Sequence, residues 1–207
     1  MGAIFQSLGR TVTAGVVVLL VIIGLVAALS GGVAVSAQHA WVAFFFRWLH
    51  VLSGVMWIGL LWYFNFVQVP TMPKVPAELK GGVTGYIAPA ALFYFRWAAM
   101  ATIILGIGLA SMNHYLVQAY TLDAVDGFTN TAFVLIGIGM WLGTIMWFNV
   151  WFVIWPNQQK VLNIGGKGDG LSAEAKAAAG KAALIASRFN TMASIPMLFC
   201  MVAASHI

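Results

Sequence analysis

Five long apolar runs dominate the sequence and constrain its fold more than any other feature. A helix needs about 20 apolar residues to cross the hydrocarbon core of a bilayer, and each run meets that length. A membrane β-barrel would instead show alternating segments of about 10 residues. The sequence therefore predicts an all-α integral membrane protein, a bundle of about five transmembrane helices at 11–35, 41–69, 87–115, 131–155 and 182–204.

The composition also indicates that lipid is the solvent of this chain. Of its 207 residues, 62% are hydrophobic and 7% are charged, whereas soluble domains carry about 25% charged residues. We find no internal repeat and no second domain, so residues 1–207 are predicted to form a single transmembrane domain. A net charge of +5 is compatible with nucleic-acid binding, but the cations outside the apolar runs all lie on one side of the membrane, so no nucleic-acid partner is expected.

The distribution of lysine and arginine predicts the orientation. The loops on one side of the membrane contain no lysine or arginine, and their only charged residues are Asp123 and Asp126. By the positive-inside rule, the N-terminus is expected in the cytoplasm and the C-terminus in the periplasm, in a multi-pass protein of a bacterial-type inner membrane. The N-terminal segment and the loops at 70–86 and 156–181 carry the cations Arg10, Lys74, Lys80, Lys160, Lys167, Lys176 and Lys181.

The first run has some marks of a secretory signal peptide. Arg10 precedes it, and the small residues at 34–37 resemble a cleavage site. The run is longer than a usual signal-peptide core, which favours a retained helix.

Motifs for catalysis by the polypeptide alone are missing from the sequence. There is no paired carboxylate, nucleophile elbow, H-E-x-x-H or dinucleotide fingerprint, so an oxidoreductase reaction would need a cofactor. The lack of C-x-x-C-H excludes covalent c-type haem. The glycine cluster at 165–170 follows no strand and has no Walker pattern, so we do not expect it to bind phosphate.

The second run carries a stripe of side chains that would be costly against lipid. At 100° per residue they share one helix face, which should point to the bundle interior or to a partner. Gly54 removes a side chain one turn from His50, which leaves room either for a flat ligand or for close helix packing. The stripe comprises Arg47, His50, Gly54, Trp57, Asn65 and Gln68.

Two arginines, Arg47 and Arg96, lie several residues inside their runs, and a tryptophan follows each. They either snorkel to the membrane surface or bind an anion such as a haem propionate. Because none of the five runs contains an acidic residue, the anion is somewhat favoured. Small hydrogen-bonding residues of the last run are expected to join helices, and they are Ser187, Asn190, Thr191, Ser194 and Ser205.

The four histidines are His39, His50, His114 and His206. The predicted topology places all of them in the outer half of the membrane, where they could form a metal or haem site. His50 is the candidate metal ligand, whereas the other three are equally explained as ordinary residues at helix ends. His50 and His114 differ in depth by about 15 Å at 1.5 Å per residue, which argues against a shared iron.

Three motifs give the sequence a family resemblance: RWLHVLSGVMWIG at 47–59 with YFNF at 63–66, MWFNVWFVIWP at 146–156, and SRFNT at 187–191 with PMLF at 196–199. Together they resemble the membrane domain of PuuD-type urate hydroxylases, the urate oxidase N-terminal family. A more distant likeness runs to the HemJ and CopD membrane families, of which HemJ-type proteins are haem-linked.

The resemblance implies a non-covalent haem b held by His50, with His114 or His206 as a possible second ligand. Family members carry a cytochrome c domain after the membrane part and typically begin near residue 47. The printed chain has an additional first helix and no such domain, so electron transfer to a separate cytochrome c is expected. Two alternatives stay open: a non-catalytic subunit packed against other membrane subunits of a larger oxidase or respiratory complex, and a small-molecule transporter. The transporter ranks last because the sequence shows no inverted repeat.

Overall fold

The computed structural model describes residues 2–29 and 39–206. Within these ranges the regular elements are all helical, and five helices are long and apolar enough to cross a membrane, which confirms the predicted fold class. The chain forms α1 (Leu8–Leu29), α2 (Ala40–Lys74), α3 (Ala77–Met112), the short α4 (Leu116–Tyr120), α5 (Thr131–Val161) and α6 (Ala173–Ala203).

The contacts within the chain define two compact units, residues 1–45 and 46–207. In the first unit, α1 follows a short helical turn, Gly2–Phe5, and buries none of its residues. A helix that is apolar on every side and buries nothing is suited to lipid on every side. The small residues at 34–37 that resemble a cleavage site lie outside the described residues.

The helices of the second unit extend beyond the apolar runs. The segments 70–86 and 156–181 were predicted as loops, but α2 continues to Lys74, α3 begins at Ala77, α5 continues to Val161 and α6 begins at Ala173. Hydropathy reports where lipid ends, whereas a helix ends only where its backbone hydrogen bonds stop. Polar residues in these turns therefore extend the helices past the apolar boundary.

Three wide π-helical segments interrupt the long helices, at Tyr63–Gln68, Val83–Ile87 and Asn149–Ile154. Each ends two residues before a proline, namely Pro70, Pro89 or Pro156. A proline ring collides with the carbonyl four residues earlier in an α-helix. The residue before each proline instead donates its N–H to the carbonyl five residues earlier, as Trp155 does to Val150. The wider turn lets the helix pass the proline.

The core of the second unit is an apolar cluster that joins α2, α3, α5 and α6. Trp57 and Leu61 of α2 pack there with Phe95 of α3 and Met146 of α5, and each of these side chains is at most 1% exposed. Large apolar residues on the outer faces of the same helices remain exposed, as expected for surfaces in contact with lipid.

Polar bonds between helices run beside this core. Asn190 of α6 is fully buried and donates its Nδ2 to the Met146 carbonyl at 2.9 Å, while its Oδ1 accepts from Asn149 Nδ2 at 2.9 Å. Asn65 of α2 donates to Ser187 Oγ at 2.8 Å. Ser187 and Asn190 therefore join α6 to α2 and α5, as predicted, and Ser194 accepts from Trp62 Nε1 of α2 at 3.0 Å. The hydroxyls of Thr191 and Ser205 instead bond to carbonyls of α6 itself.

Candidate functional site

His50 is anchored to the neighbouring helix by one hydrogen bond. Its Nδ1 lies 2.8 Å from the backbone carbonyl oxygen of Thr102 in α3. A carbonyl oxygen can only accept, so Nδ1 carries the proton and the lone pair of a neutral ring resides on Nε2. Within the described part of the chain, Nε2 makes no hydrogen bond. Ligating histidines typically have this arrangement, because the bond at one nitrogen orients the ring and makes the other nitrogen more basic.

The space beside the imidazole comes from Gly106. A Cβ at Gly106 would lie 2.8 Å from His50 Cε1 and 3.1 Å from Nδ1. A Cβ at Gly54 would meet only the Thr102 methyl carbon, at an ordinary 3.9 Å. The structure thus places Gly54 against Thr102, while the glycine that accommodates the ring belongs to another helix. No pattern within the second run could have indicated Gly106.

Arg47 and Trp57 lie on either side of His50 along α2. Arg47 is exposed, and its charge reaches Tyr115: burial raises the pKa of the Tyr115 phenol, and Arg47 opposes that rise. Trp57 is 1% exposed, and its buried Nε1 has no hydrogen-bond partner among the described residues. The predicted stripe therefore has a charged end near Tyr115 and a buried end in the apolar core.

The other two predicted histidine ligands differ from His50 in burial, because His50 is partly buried. His114 and His206 are both exposed, and His206 Nδ1 lies 2.8 Å from the carbonyl oxygen of Val202. His114 follows α3, twelve positions after Thr102, and the ten steps from Thr102 to Met112 alone span about 15 Å of helix. In the parts of the chain that the structure describes, no three His, Cys, Asp or Glu side chains come close enough to hold a metal ion.

Arg96 belongs to a different cluster. Its guanidinium carbon lies 3.7 Å from the centroid of the Trp155 ring and 5.2 Å from that of Trp151, both in α5. Six residues separate Arg96 from Thr102, which corresponds to about 9 Å along α3 and about 120° around it. His50 and Arg96 were both predicted to bind one cofactor. In the structure, His50 contacts α3 at Thr102, whereas the Arg96 side chain leaves α3 on a different side.

The structure shows a second set of unpaired polar atoms at the far end of the predicted stripe. Asn65 Oδ1 and Gln68 Oε1, both in the first π-helical segment, are buried and lack a hydrogen-bond partner among the described residues. Asn65 donates its Nδ2 to the Leu61 carbonyl at 2.9 Å, which establishes the orientation of its amide. Polar residues of π-helical segments frequently lie at functional sites.

Comparison with known proteins identifies one family. Residues 116–207 match the family model described as urate oxidase N-terminal. No curated protein and no solved structure matched the chain. Two of the three sequence motifs, at 146–156 and 187–199, fall within the matched residues, whereas the His50 motif precedes them. The resemblance to the urate oxidase N-terminal family is therefore confirmed for residues 116–207, the part of the chain that contains α4, α5 and α6.

Proposed function

We propose that this protein is a membrane-embedded redox module that holds haem b non-covalently through His50 and exchanges electrons with a separate cytochrome c. The observation that supports the proposal most is the bond from His50 Nδ1 to the Thr102 carbonyl, 2.8 Å long, which leaves the Nε2 lone pair available. The match of residues 116–207 to the urate oxidase N-terminal family supports a relation to urate hydroxylase membrane domains.

The surrounding residues have complementary tasks in this proposal. Thr102 holds the imidazole in the ligating tautomer, and Gly106 leaves the space that the ring needs. Arg47, about one turn from His50 on α2, would pair with a carboxylate such as a haem propionate. Haem, when bound, supplies the one-electron couple that the side chains of this chain lack. Since His114 and His206 are both exposed, whereas His50 is partly buried, we propose a single histidine ligand from this chain.

The absorption spectrum of the purified protein tests the proposal. Protein extracted from its membrane in mild detergent should show a Soret band that shifts on reduction with dithionite, and its pyridine haemochrome should be of the b type. A protein that lacks both signals, even after incubation with haemin, would contradict the proposal. It would then favour the alternative of a non-catalytic subunit, for which co-purified membrane proteins are the positive evidence.

The orientation of the protein is part of the same proposal. Because the lysine-rich segments lie on one side of the five spans, we expect that side to be the cytoplasm of a bacterial-type inner membrane. Alkaline phosphatase and green fluorescent protein fusions at each terminus measure this. Phosphatase should be active only at the C-terminus and fluorescence should appear only at the N-terminus. The reverse pattern, or one pattern at both ends, would show that the orientation or the span count is wrong.

A further inference from the structure

The Arg96 side chain has donors that nothing in the described structure accepts. Its Nε and Nη1 are buried and lack a hydrogen-bond partner among the described residues. The neighbouring rings of Trp155, Trp151 and Trp97 surround its guanidinium carbon at 3.7, 5.2 and 5.9 Å. The rings therefore offset part of the cost of placing the positive charge there, but they leave the buried N–H groups without acceptors.

Cation–π contacts cannot replace the missing acceptors. An aromatic ring attracts a guanidinium through its face, whereas the N–H bonds of the guanidinium lie in its own plane. Leaving a buried N–H group without an acceptor costs free energy, and more so when the group is charged. The N–H groups at the edge of the Arg96 guanidinium therefore require an acceptor that lies in the plane of that group.

Two tryptophans add donors along the same seam between α3 and α5. Trp147 and Trp151 are four residues apart, as are Trp151 and Trp155, so the three rings follow one face of α5. The Nε1 atoms of Trp147 and Trp151 are buried and also lack a partner among the described residues. The Trp151 ring lies 5.2 Å from the Arg96 guanidinium carbon, so Arg96 and Trp151 together present three unpaired donor nitrogens, and Trp147 lies about one turn farther along α5.

The chain itself offers no anion for these donors. Its five acidic residues all lie outside the apolar runs of α3 and α5, at Glu78, Asp123, Asp126, Asp169 and Glu174. Unpaired donors beside a cation, with no acidic side chain in the same runs, select a ligand with negatively charged oxygen atoms.

We propose that Arg96 and Trp151 bind an anionic oxygen group, a phosphate or a carboxylate, in the seam between α3 and α5. This site is separate from the one proposed at His50, because Arg96 and the Thr102 carbonyl that holds His50 lie on different sides of α3. It therefore does not depend on haem binding, and haem loading does not enter its test.

The position of the seam agrees with a phospholipid headgroup or with a soluble anion that enters from the lysine-rich side. Trp155 is the last residue of the apolar run of α5, and Pro156, Asn157, Gln158, Gln159 and Lys160 follow it. Tryptophan is enriched at this boundary of the membrane, where lipid phosphates lie. The two sources share one chemistry, and separate probes distinguish them.

The test measures binding of two probes to the full chain after delipidation in a non-ionic detergent. Native mass spectrometry reports binding of phosphatidylglycerol, with phosphatidylcholine as the zwitterionic comparison, and isothermal titration reports binding of inorganic phosphate. Replacing Arg96 with glutamine should weaken binding by about tenfold to a hundredfold, because a charge-assisted hydrogen bond is lost. Arg188→Gln is the matched control, since Arg188 is an exposed arginine of α6, and it should change binding less than twofold.

A second variant covers the case in which Arg96→Gln does not fold. Trp151→Phe keeps an aromatic ring beside Arg96 and removes one donor, so it should weaken binding severalfold. Arg96-dependent binding of phosphatidylglycerol alone identifies a lipid headgroup, and Arg96-dependent binding of phosphate identifies a soluble anion. The proposal is overturned if neither probe binds the unmodified protein, if Arg96→Gln and Trp151→Phe both bind as it does, or if Arg188→Gln weakens binding equally.

Discussion

Replacing His50 with alanine is expected to abolish haem b binding by the purified protein. This imidazole lies inside a membrane span and combines an oriented Nδ1, 2.8 Å from the Thr102 carbonyl oxygen, with an available Nε2. Without a protein ligand to the iron, the haem would lose its attachment and much of its affinity. The Soret absorbance per mole of protein should fall by at least tenfold.

Two histidine variants are the matched controls for this experiment. His114→Ala and His206→Ala remove exposed imidazoles, and both proteins should keep the spectrum of the unmodified protein. If His50→Ala retained full haem absorbance, or if His114→Ala or His206→Ala lost it, the assignment of His50 as the ligand would be wrong. Circular dichroism and gel filtration in detergent verify that each variant is folded.

Two glycine variants distinguish the surroundings of the ring from general packing. Gly106→Ala should displace the imidazole and reduce haem occupancy, because the new Cβ would lie 2.8 Å from His50 Cε1. Gly54→Ala should leave occupancy unchanged, because its Cβ meets only a methyl carbon at 3.9 Å. Equal occupancy in the two variants would show that the ring position in the structure is not the position that binds haem.

Gly137→Ala is expected to destabilise the packing of α4 on α5 by about 3 kcal/mol, since overpacking against an immobile neighbour is costly. A Cβ at Gly137 would overlap the backbone carbonyl oxygen of Ala119 and approach Leu122 Cδ2 at 2.8 Å. No rotation of a side chain can move a backbone oxygen, so α4 itself would have to shift away from α5.

That shift would break the bonds that hold α4 in place. Tyr120 Oη lies 3.0 Å from Thr144 Oγ1, and Trp141 Nε1 donates to the Tyr120 carbonyl at 2.9 Å. Ala119 is fully buried in the contact between the two helices. Loss of these contacts adds to the cost of the clash, so the unfolding transition in sodium dodecyl sulfate should move to a markedly lower detergent fraction.

Gly59→Ala is the control for the glycine change itself. Gly59 lies in α2, and among the described residues no neighbouring atom lies within 4 Å of the position that a Cβ would take there. An alanine there should leave stability unchanged or raise it by up to about 1 kcal/mol, because alanine favours a helix more than glycine does. Equal stability of Gly137→Ala and Gly59→Ala would show that α4 does not pack against α5 as described.

The candidate site could be predicted only in part from the sequence. His50 stood out because an imidazole inside an apolar run is costly, and that argument needs no neighbour. Its partners, the Thr102 carbonyl and Gly106, belong to a run that begins about 40 residues later, and nothing in either run indicates their proximity. The prediction therefore assigned the open space to Gly54, the nearest glycine on the same helix.

Arg96 illustrates the same division. Its position inside an apolar run indicated either snorkelling or a bound anion. Only the packing of α3 against α5 places Trp155 over its guanidinium and leaves its edge donors without acceptors among the described residues.

The sequence by itself determined the helical class, the number of spans and the apolar extent of each, because transfer from water to lipid depends on composition along a single segment. It also indicated the small polar residues that join α6 to its neighbours. Tertiary structure decided where each helix ends, which glycine lies beside His50 and which side of α3 each site uses. Packing between helices in lipid depends on shape and on hydrogen bonds between distant segments, since lipid is as apolar as the helix surfaces themselves.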